Sequence, residues 1–300
     1  MLVCDQLDLE DLQLSAQFEV DYRPKITHSE LLRVIANYDV IVVRSRTKVG
    51  RDVIEKGRRL KVIARPGTGL DNIDVPAATS RGVTVVNTPE SLVEAVSEHA
   101  VLLMLALCRR LTLADSSLRR GSWAKERILG VELRGKVLGI VGLGRIGRRV
   151  GEIARVLGMS INAYDVVSIP PETAEKLSAT IVDLDVLFSS SDFVTLHVPL
   201  TEQTHHMVDA RRLRLMRRGS FLINTSRGGI IDEPALIRAL KAGSLGGAAL
   251  DVFEREPPTG GILTAPNLIV TPHIGGQTAE ARREAITSIS SKIVEALSSK

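Results

Sequence analysis

The chain of 300 residues is long enough for two domains of ordinary size, and its 44% hydrophobic and 25% charged content is a globular balance that excludes wholesale disorder. Aromatics make up only 3%, so the core must be built from Val, Ile, Leu and Ala, which suits parallel sheets buried on both faces. A net charge of +4 tolerates anionic ligands, but Lys and Arg are scattered and never interleaved with stacking aromatics, so no nucleic acid is expected as a partner.

In chain order, short apolar runs alternate with amphipathic stretches. The early runs are Leu2–Cys4, Phe18–Tyr22, Val40–Val43, Val62–Ala64 and Val83–Val86, with helix-like stretches such as Ser29–Tyr38 and Asp52–Lys56 between them. A long helix is then predicted from Ser91 and Glu94, at capping-box spacing, with Val93, Val96, Ala100, Leu103 and Leu107 on one face. The later runs are Val137–Val141, Ile161–Tyr164, Phe193–His197, Phe221–Asn224, Ala248–Leu250 and Leu268–Val270, separated by helical patterns at Arg145–Leu157, Ala210–Met216 and Pro234–Ala242. A last helix spans Thr278 to Leu297 and can return to the first domain. Two βα series with a helical connector predict an α/β protein of two doubly wound parallel sheets.

The longest apolar run, Val101–Cys108, is far too short to cross a bilayer, so no membrane is expected. Asp5, Asp8, Glu10 and Asp11 are wrong for a signal peptide. Cys4 and Cys108 lack a second Cys or a His at metal-ligand spacing, so two free thiols, a reducing cytoplasm and no metal are expected.

Strand Val137–Val141 runs directly into Gly142, Gly144 and Gly147, spaced GxGxxG, and a helix pattern follows at once. The first glycine permits the tight turn, the second lets backbone approach a pyrophosphate, and the third lets helix and strand pack. The helix N-terminus adds free N–H groups and a positive dipole end. The next strand ends on Asp165, about 20 residues on, where a carboxylate accepts from ribose hydroxyls and repels a 2′-phosphate; NAD is expected over NADP. Arg145 has two readings, a pyrophosphate contact or a solvated helix residue.

Ligands of open α/β sheets bind beyond the carboxyl ends of the strands. There stand Thr225, Ser226 and Arg227 after one strand, Asp251 and Glu256 after the next, and Thr271, Pro272 and His273 after the third. Hydride transfer from a hydroxy acid needs a base, a cation for the carboxylate and a group that orients the base. His273 suits the first, because histidine titrates nearest neutrality; Arg227 suits the second through its two-pronged geometry; Glu256 suits the third. Singly, each is as well read as a surface, turn or salt-bridge residue; together they describe a site. His197 also ends a strand and is the rival base, ranked second because Val198 and Pro199 bring it no carboxylate.

These motifs, with Val43–Lys48, Arg65–Asp74, Asn87–Pro89, His197–Thr201 and Asn224–Gly229, resemble the D-isomer-specific 2-hydroxyacid dehydrogenase family over nearly the whole chain. The resemblance implies a flavodoxin-like substrate domain from residues 1–88 and 276–300, and a Rossmann NAD-binding domain from 89–275. It implies Arg227, Glu256 and His273 as the catalytic set. For NAD it implies Gly142, Gly144, Arg145, Ile146, Gly147, Asp165, His197, Thr225, Ser226, Asp251 and Thr68, with Asp251 holding the nicotinamide amide. For the substrate it implies Arg44, Ser45, Arg65, Gly67, Thr68 and Gly69, the backbone of 67–69 receiving the carboxylate. Within the family the likeness is greatest to the branch that oxidises 3-phosphoglycerate for L-serine synthesis, in which Arg44, Arg46 and Arg65 are the cations available for the phosphate; ion pairing at strand ends is the other reading of all three. Because the chain ends soon after its last helix, serine feedback through an appended regulatory domain is not expected. Family members are dimers joined through the long helix and the arm after it, so a homodimer is expected. Reduction of glyoxylate or hydroxypyruvate is the alternative within the family. An NAD-sensing binding module, as in its transcriptional corepressors, leaves Arg227, Glu256 and His273 unexplained.

Overall fold

The computed structural model describes residues 1–8 and 18–298, which form two compact units, Met1–Val93 with Gly276–Lys300, and Glu94–Gly275. In the first unit, β1 (Leu2–Val3), β2 (Asp21–Tyr22), β3 (Val40–Val42), β4 (Val62–Arg65) and β5 (Thr84–Asn87) make an all-parallel sheet of order 2-1-3-4-5. That is the flavodoxin-like doubly wound order. The helices α1 (His28–Val34), α2 (Arg51–Lys56) and α3 (Val75–Ser80) connect these strands. Their starts are written in side chains. Thr27 and Glu30 form a reciprocal capping box on α1, and the Asp74 carboxylate accepts from the Ala77 N–H at the start of α3, with Pro76 in its first turn.

The second unit opens with α4 (Val93–Cys108) and α5 (Leu111–Arg119). There follow β6 (Val137–Val141), α6 (Arg145–Val156), β7 (Ser160–Tyr164), α7 (Pro171–Leu177), β8 (Ala179–Ile181), α8 (Leu184–Ser190), β9 (Phe193–Leu196), α9 (Ala210–Leu215), β10 (Phe221–Asn224), α10 (Glu233–Lys241), β11 (Gly247–Leu250) and β12 (Leu268–Val270). The seven strands are parallel in the order β12-β11-β10-β9-β6-β7-β8, a Rossmann sheet with one further strand. Alternate residues serve opposite faces. Val141, Leu196, Leu222 and Leu250 join the core under α8, α9 and α10, whereas Ile140, Phe193, Ile223 and Ala249 face Met104 of α4 and Val150 of α6. Finally α11 (Ala279–Ser298) lays Ile286, Ile289 and Ile293 on Val40, Val42, Val62 and Ala64 of the first sheet.

Two expectations are corrected. The run Phe18–Tyr22 is a strand only at Asp21–Tyr22, because only those residues find a ladder on β1. The Ser91–Glu94 capping box does not form: α4 begins at Val93, the Ser91 hydroxyl is buried without a partner among the described residues, and Glu94 instead meets Arg149 at 2.7 Å. The short edge strand β8 and its flanking helices α7 and α8 carry no apolar period long enough to read from the sequence.

Candidate active site

The carboxyl ends of β6, β9, β10, β11 and β12 lie side by side on one edge of the second sheet, with the topological switch point between β6 and β9. Gly142, just past β6, has φ +93, and a Cβ there would sit 2.6 Å from the His197 carbonyl. A Cβ on Gly147 would sit 2.0 Å from the Gly142 carbonyl, so both glycines are demanded by the fold itself. Gly144 differs: its φ is −71, and a Cβ there would meet nothing within 4 Å. Neither conformation nor protein packing requires glycine at 144, which fits a backbone that something outside the protein must approach. Gly144 caps α6 without a side chain, leaving the first-turn N–H groups of Arg145, Ile146 and Gly147 for an anion. Arg145 is exposed and Ile146 half-buried.

Asp165, past the end of β7, is half-buried and fixed by two amides: Leu143 N–H donates to its Oδ2 at 2.7 Å and Val167 N–H to its Oδ1 at 3.0 Å. The carboxylate is thereby tied to the glycine loop, a link that spacing alone could not show. His197 follows β9, its Nε2 3.0 Å from the Thr195 hydroxyl, and burial pushes its pKa down to about 4. It is therefore a neutral imidazole at ordinary pH, which weakens it as the rival base. Thr225, past β10, has a buried hydroxyl without a partner among the described residues. Asn224 organises the turn that follows. Its Oδ1 accepts from Ser226 N–H at 3.0 Å and Oγ at 2.8 Å, and its Nδ2 donates to the Arg227 carbonyl at 2.8 Å. The open cradle at Gly144, the orphaned Thr225 hydroxyl and the acceptor Asp165 together fit a dinucleotide.

Arg227 is half-buried and donates through Nη1 to the Ser226 carbonyl at 2.7 Å. A Cβ on Gly228 would fall 1.8 Å from the Phe253 carbonyl carbon, so glycine lets the Arg227 turn and the loop after β11 touch backbone to backbone. That loop carries Glu256, whose Oε2 and Oε1 lie 2.9 and 3.1 Å from His273 Nδ1. A carboxylate at Nδ1 takes the Nδ1–H and leaves Nε2 for a substrate proton. Both side chains are more than two-fifths exposed, so they are accessible. His273 holds a left-handed φ of +55.

Asp251, ending β11, is almost wholly buried. Thr271 Oγ1 donates to its Oδ1 at 2.5 Å, Ile274 N–H to Oδ1 at 2.8 Å and Gly275 N–H to Oδ2 at 2.8 Å. Burial raises this carboxyl's pKa, but hydrogen bonds from His99, Thr271 and the two amides outweigh that and hold it below the ordinary carboxylate value. His99 escaped the sequence reading, because it belongs to no motif; Asn224 was named only as the first residue of the Asn224–Gly229 motif, without its part in shaping the turn.

In the first unit, Gly67 (φ +144) exchanges bonds with Thr88, its N–H donating to Oγ1 at 2.9 Å and its carbonyl accepting from Thr88 N–H at 3.0 Å. Asn87 Nδ2 donates to the Thr68 carbonyl at 2.7 Å, and the Thr68 hydroxyl is buried without a partner among the described residues. Arg65 folds back to donate to the Gly69 carbonyl, closing the 65–69 loop on itself. Arg46 is spent on the fold: it donates to Asp5 at 2.9 Å and to the carbonyls of Cys4, Pro24 and Ile26. Ser45 is exposed. Only Arg44 of the three arginines makes no side-chain hydrogen bond or ion pair among the described residues. Its guanidinium pKa is lowered by burial and then by the like charge of Arg282, Asp5 opposing.

The family model for the D-isomer specific 2-hydroxyacid dehydrogenase NAD-binding domain matches residues 101–275. A D-3-phosphoglycerate dehydrogenase of Methanocaldococcus jannaschii is 46% identical over 99% of this chain, and the match spans 57% of that relative, so the chain covers little more than half its length. A hydroxypyruvate reductase of Thermotoga maritima is also 46% identical, over 98% of this chain and 97% of that one. Among solved structures, D-lactate dehydrogenase from Aquifex aeolicus, complexed with NAD and lactic acid, superposes with a TM-score of 0.87 at 30% identity, covering 100% of this chain and 96% of that one. On the family model, these relatives and a dinucleotide loop built as described, the chain belongs to the D-isomer specific 2-hydroxyacid dehydrogenase family, with its NAD-binding domain at residues 101–275.

Proposed function

We propose that the protein is a D-3-phosphoglycerate dehydrogenase, oxidising 3-phosphoglycerate to 3-phosphohydroxypyruvate with NAD at the entry to L-serine synthesis in the cytoplasm. The observation that carries the choice of substrate is Arg44, a half-covered guanidinium that has no ion-pair partner of its own among the described residues and lies beside a second cation, Arg282. Two like charges held together favour a dianion such as a phosphate monoester. Several phosphoglycerate dehydrogenases among the relatives support the same reading.

In this reading NAD, when bound, would supply the acceptor for the hydride of C2. His273 takes the hydroxyl proton at Nε2, while Glu256 holds Nδ1–H and stabilises the imidazolium that forms. Arg227 grips the carboxylate, and the 2.8 Å bond from Asn224 Nδ2 to the Arg227 carbonyl fixes the turn that aims Arg227. Asp251 would hold the nicotinamide amide, and Asp165 the adenosine ribose. Exposed Leu102 and Leu105 on α4, Leu111 and Leu118 on α5, and Trp123 and Leu129 beyond them support a homodimer closed over these residues. Sedimentation at twice the chain mass is the expected result.

The test is NADH oxidation with 3-phosphohydroxypyruvate, hydroxypyruvate and glyoxylate. A kcat/KM about 100-fold higher for the phosphorylated acid, or about 2.7 kcal/mol of discrimination, is expected. The Thermotoga hydroxypyruvate reductase, matched over 97% of its length, favours a second reading, reduction of the unphosphorylated acids. Equal or better rates with those acids establish it. NADH binding without turnover of any acid would make the protein a sensor.

A further inference from the structure

His99 stands in the middle of α4, outside every motif, yet its imidazole lies under the turn that carries His273. Its side chain is only 11% exposed and that of Asp251 only 1%, so both polar groups are committed to each other's neighbourhood rather than to water. His99 Nε2 is 3.1 Å from Thr271 Oγ1 and 3.4 Å from Asp251 Oδ1. Thr271 spends its hydroxyl proton on Asp251 Oδ1, at 2.5 Å, so the hydroxyl oxygen can only accept from His99. The imidazole must therefore carry its proton on Nε2. The chain His99 → Thr271 → Asp251 runs one way, and Asp251 Oδ1 also takes the Ile274 N–H at 2.8 Å. Oδ2 has one donor among the described residues, the Gly275 N–H at 2.8 Å, and keeps a lone pair. A Cβ on Gly275 would come within 3.0 Å of that Oδ2 and 3.6 Å of the His99 ring, so a side chain at 275 would crowd both groups.

We propose that His99 is a positioning residue for hydride transfer: its Nε2–H fixes the Thr271–Asp251 pair, and through it both the Oδ2 lone pair offered to the nicotinamide carboxamide and the turn that presents His273. The proposal rests on the reading of Asp251 as the nicotinamide seat. It separates cofactor placement from substrate grip, because no atom of His99 is asked to touch the acid.

The test uses the full chain with His99→Phe, which fills the space without an N–H, and His99→Gln, whose amide nitrogen can stand near the lost Nε2. Calorimetric titration with NADH alone reads cofactor binding without turnover. His99→Phe should raise the NADH Kd about tenfold or more, the worth of a hydrogen bond to a charged group. It should lower kcat while leaving the KM for the oxo acid, at saturating NADH, within about twofold of wild type. His99→Gln should recover most of both losses. Thr271→Val, which cuts the same chain at its middle link, should reproduce the His99→Phe pattern. Wild-type NADH affinity and kcat in His99→Phe or, where that variant does not fold, in Thr271→Val, overturn the proposal, as does a His99→Gln no better than His99→Phe. Failure of the dehydrogenase reading looks different: wild type then binds NADH and turns over none of the three acids, while the Kd comparison still judges His99.

Discussion

Asp251 clamps His273 from both its backbone and its side chain: the Asp251 carbonyl accepts the His273 N–H at 2.9 Å, and the carboxylate accepts the next two amides, Ile274 and Gly275, at 2.8 Å each. The clamp offsets a left-handed His273, a conformation that costs a non-glycine residue about 1–2 kcal/mol. Asp251→Asn turns an NH2 toward donors and leaves at least one of them unsatisfied. A loss of about 1–3 kcal/mol in urea unfolding is expected, with kcat falling further than stability. An Asn variant as stable and as active as wild type would show that the clamp is idle.

His273→Asn should separate chemistry from folding. The imidazole is half exposed and, among the described residues, ties only to Glu256, so the melting temperature should barely move. As the proposed base, its loss should lower kcat about 10²–10⁴-fold. Retention of most of the wild-type kcat at neutral pH would remove His273 from the mechanism.

Two of the loop glycines should fail in different ways. Gly147→Ala drives a Cβ to 2.0 Å from the Gly142 carbonyl oxygen and should cost about 3 kcal/mol or more of stability. Gly144→Ala meets nothing within 4 Å, so unfolding should change by no more than about 1 kcal/mol, while NADH affinity falls. Unfolding curves beside NADH titrations decide it, and a Gly144→Ala variant with normal NADH affinity would mean that no phosphate approaches that backbone.

Asp165→Ala should weaken NAD and lessen the bias against NADP, because it removes the ribose acceptor together with the charge that repels a 2′-phosphate. The Leu143 amide loses its 2.7 Å acceptor at the same time, so some disorder of the loop should add to the loss. The ratio of kcat/KM for the two cofactors measures it, and an unchanged ratio would assign discrimination elsewhere.

His197 should set part of the acid limb of stability. Burial lowers its pKa from 6.5 to about 4, so between these values the unfolded chain binds a proton that the folded chain refuses. Stability from this group is full above about pH 6.5 and is lost as pH falls toward 4, by about 3 kcal/mol in all. His197→Gln should flatten the melting temperature over that window. A wild-type acid limb in the variant would place the proton uptake on other groups.

The glycine loop, Asp165 and the Arg227, Glu256 and His273 constellation were legible because each follows an apolar run that can only be a buried strand, and parallel strands deliver their carboxyl ends to one edge. The alternation of Ile140 and Val141 between two cores follows from the same period of two. Local caps were less legible. Ser91 and Glu94 have capping-box spacing, but Arg149, 55 residues further on, takes the Glu94 carboxylate, whereas Thr27 and Glu30 have the same spacing and no such competitor.

By itself, then, the sequence determined the two parallel sheets, the dinucleotide loop and which residue types reach the strand ends, since all three rest on short-range periodicity and spacing. Only the tertiary structure decided which of several like residues is available. Arg46 is consumed by Asp5 and three carbonyls while Arg44 is not, and His197 is desolvated and neutral while His273 meets a carboxylate. It also brought His99 under Asp251 and Thr271, more than 150 residues away along the chain. The physical reason is the same in each case: burial and partner choice are set by contacts between distant segments, and those contacts fix charge, tautomer and reach.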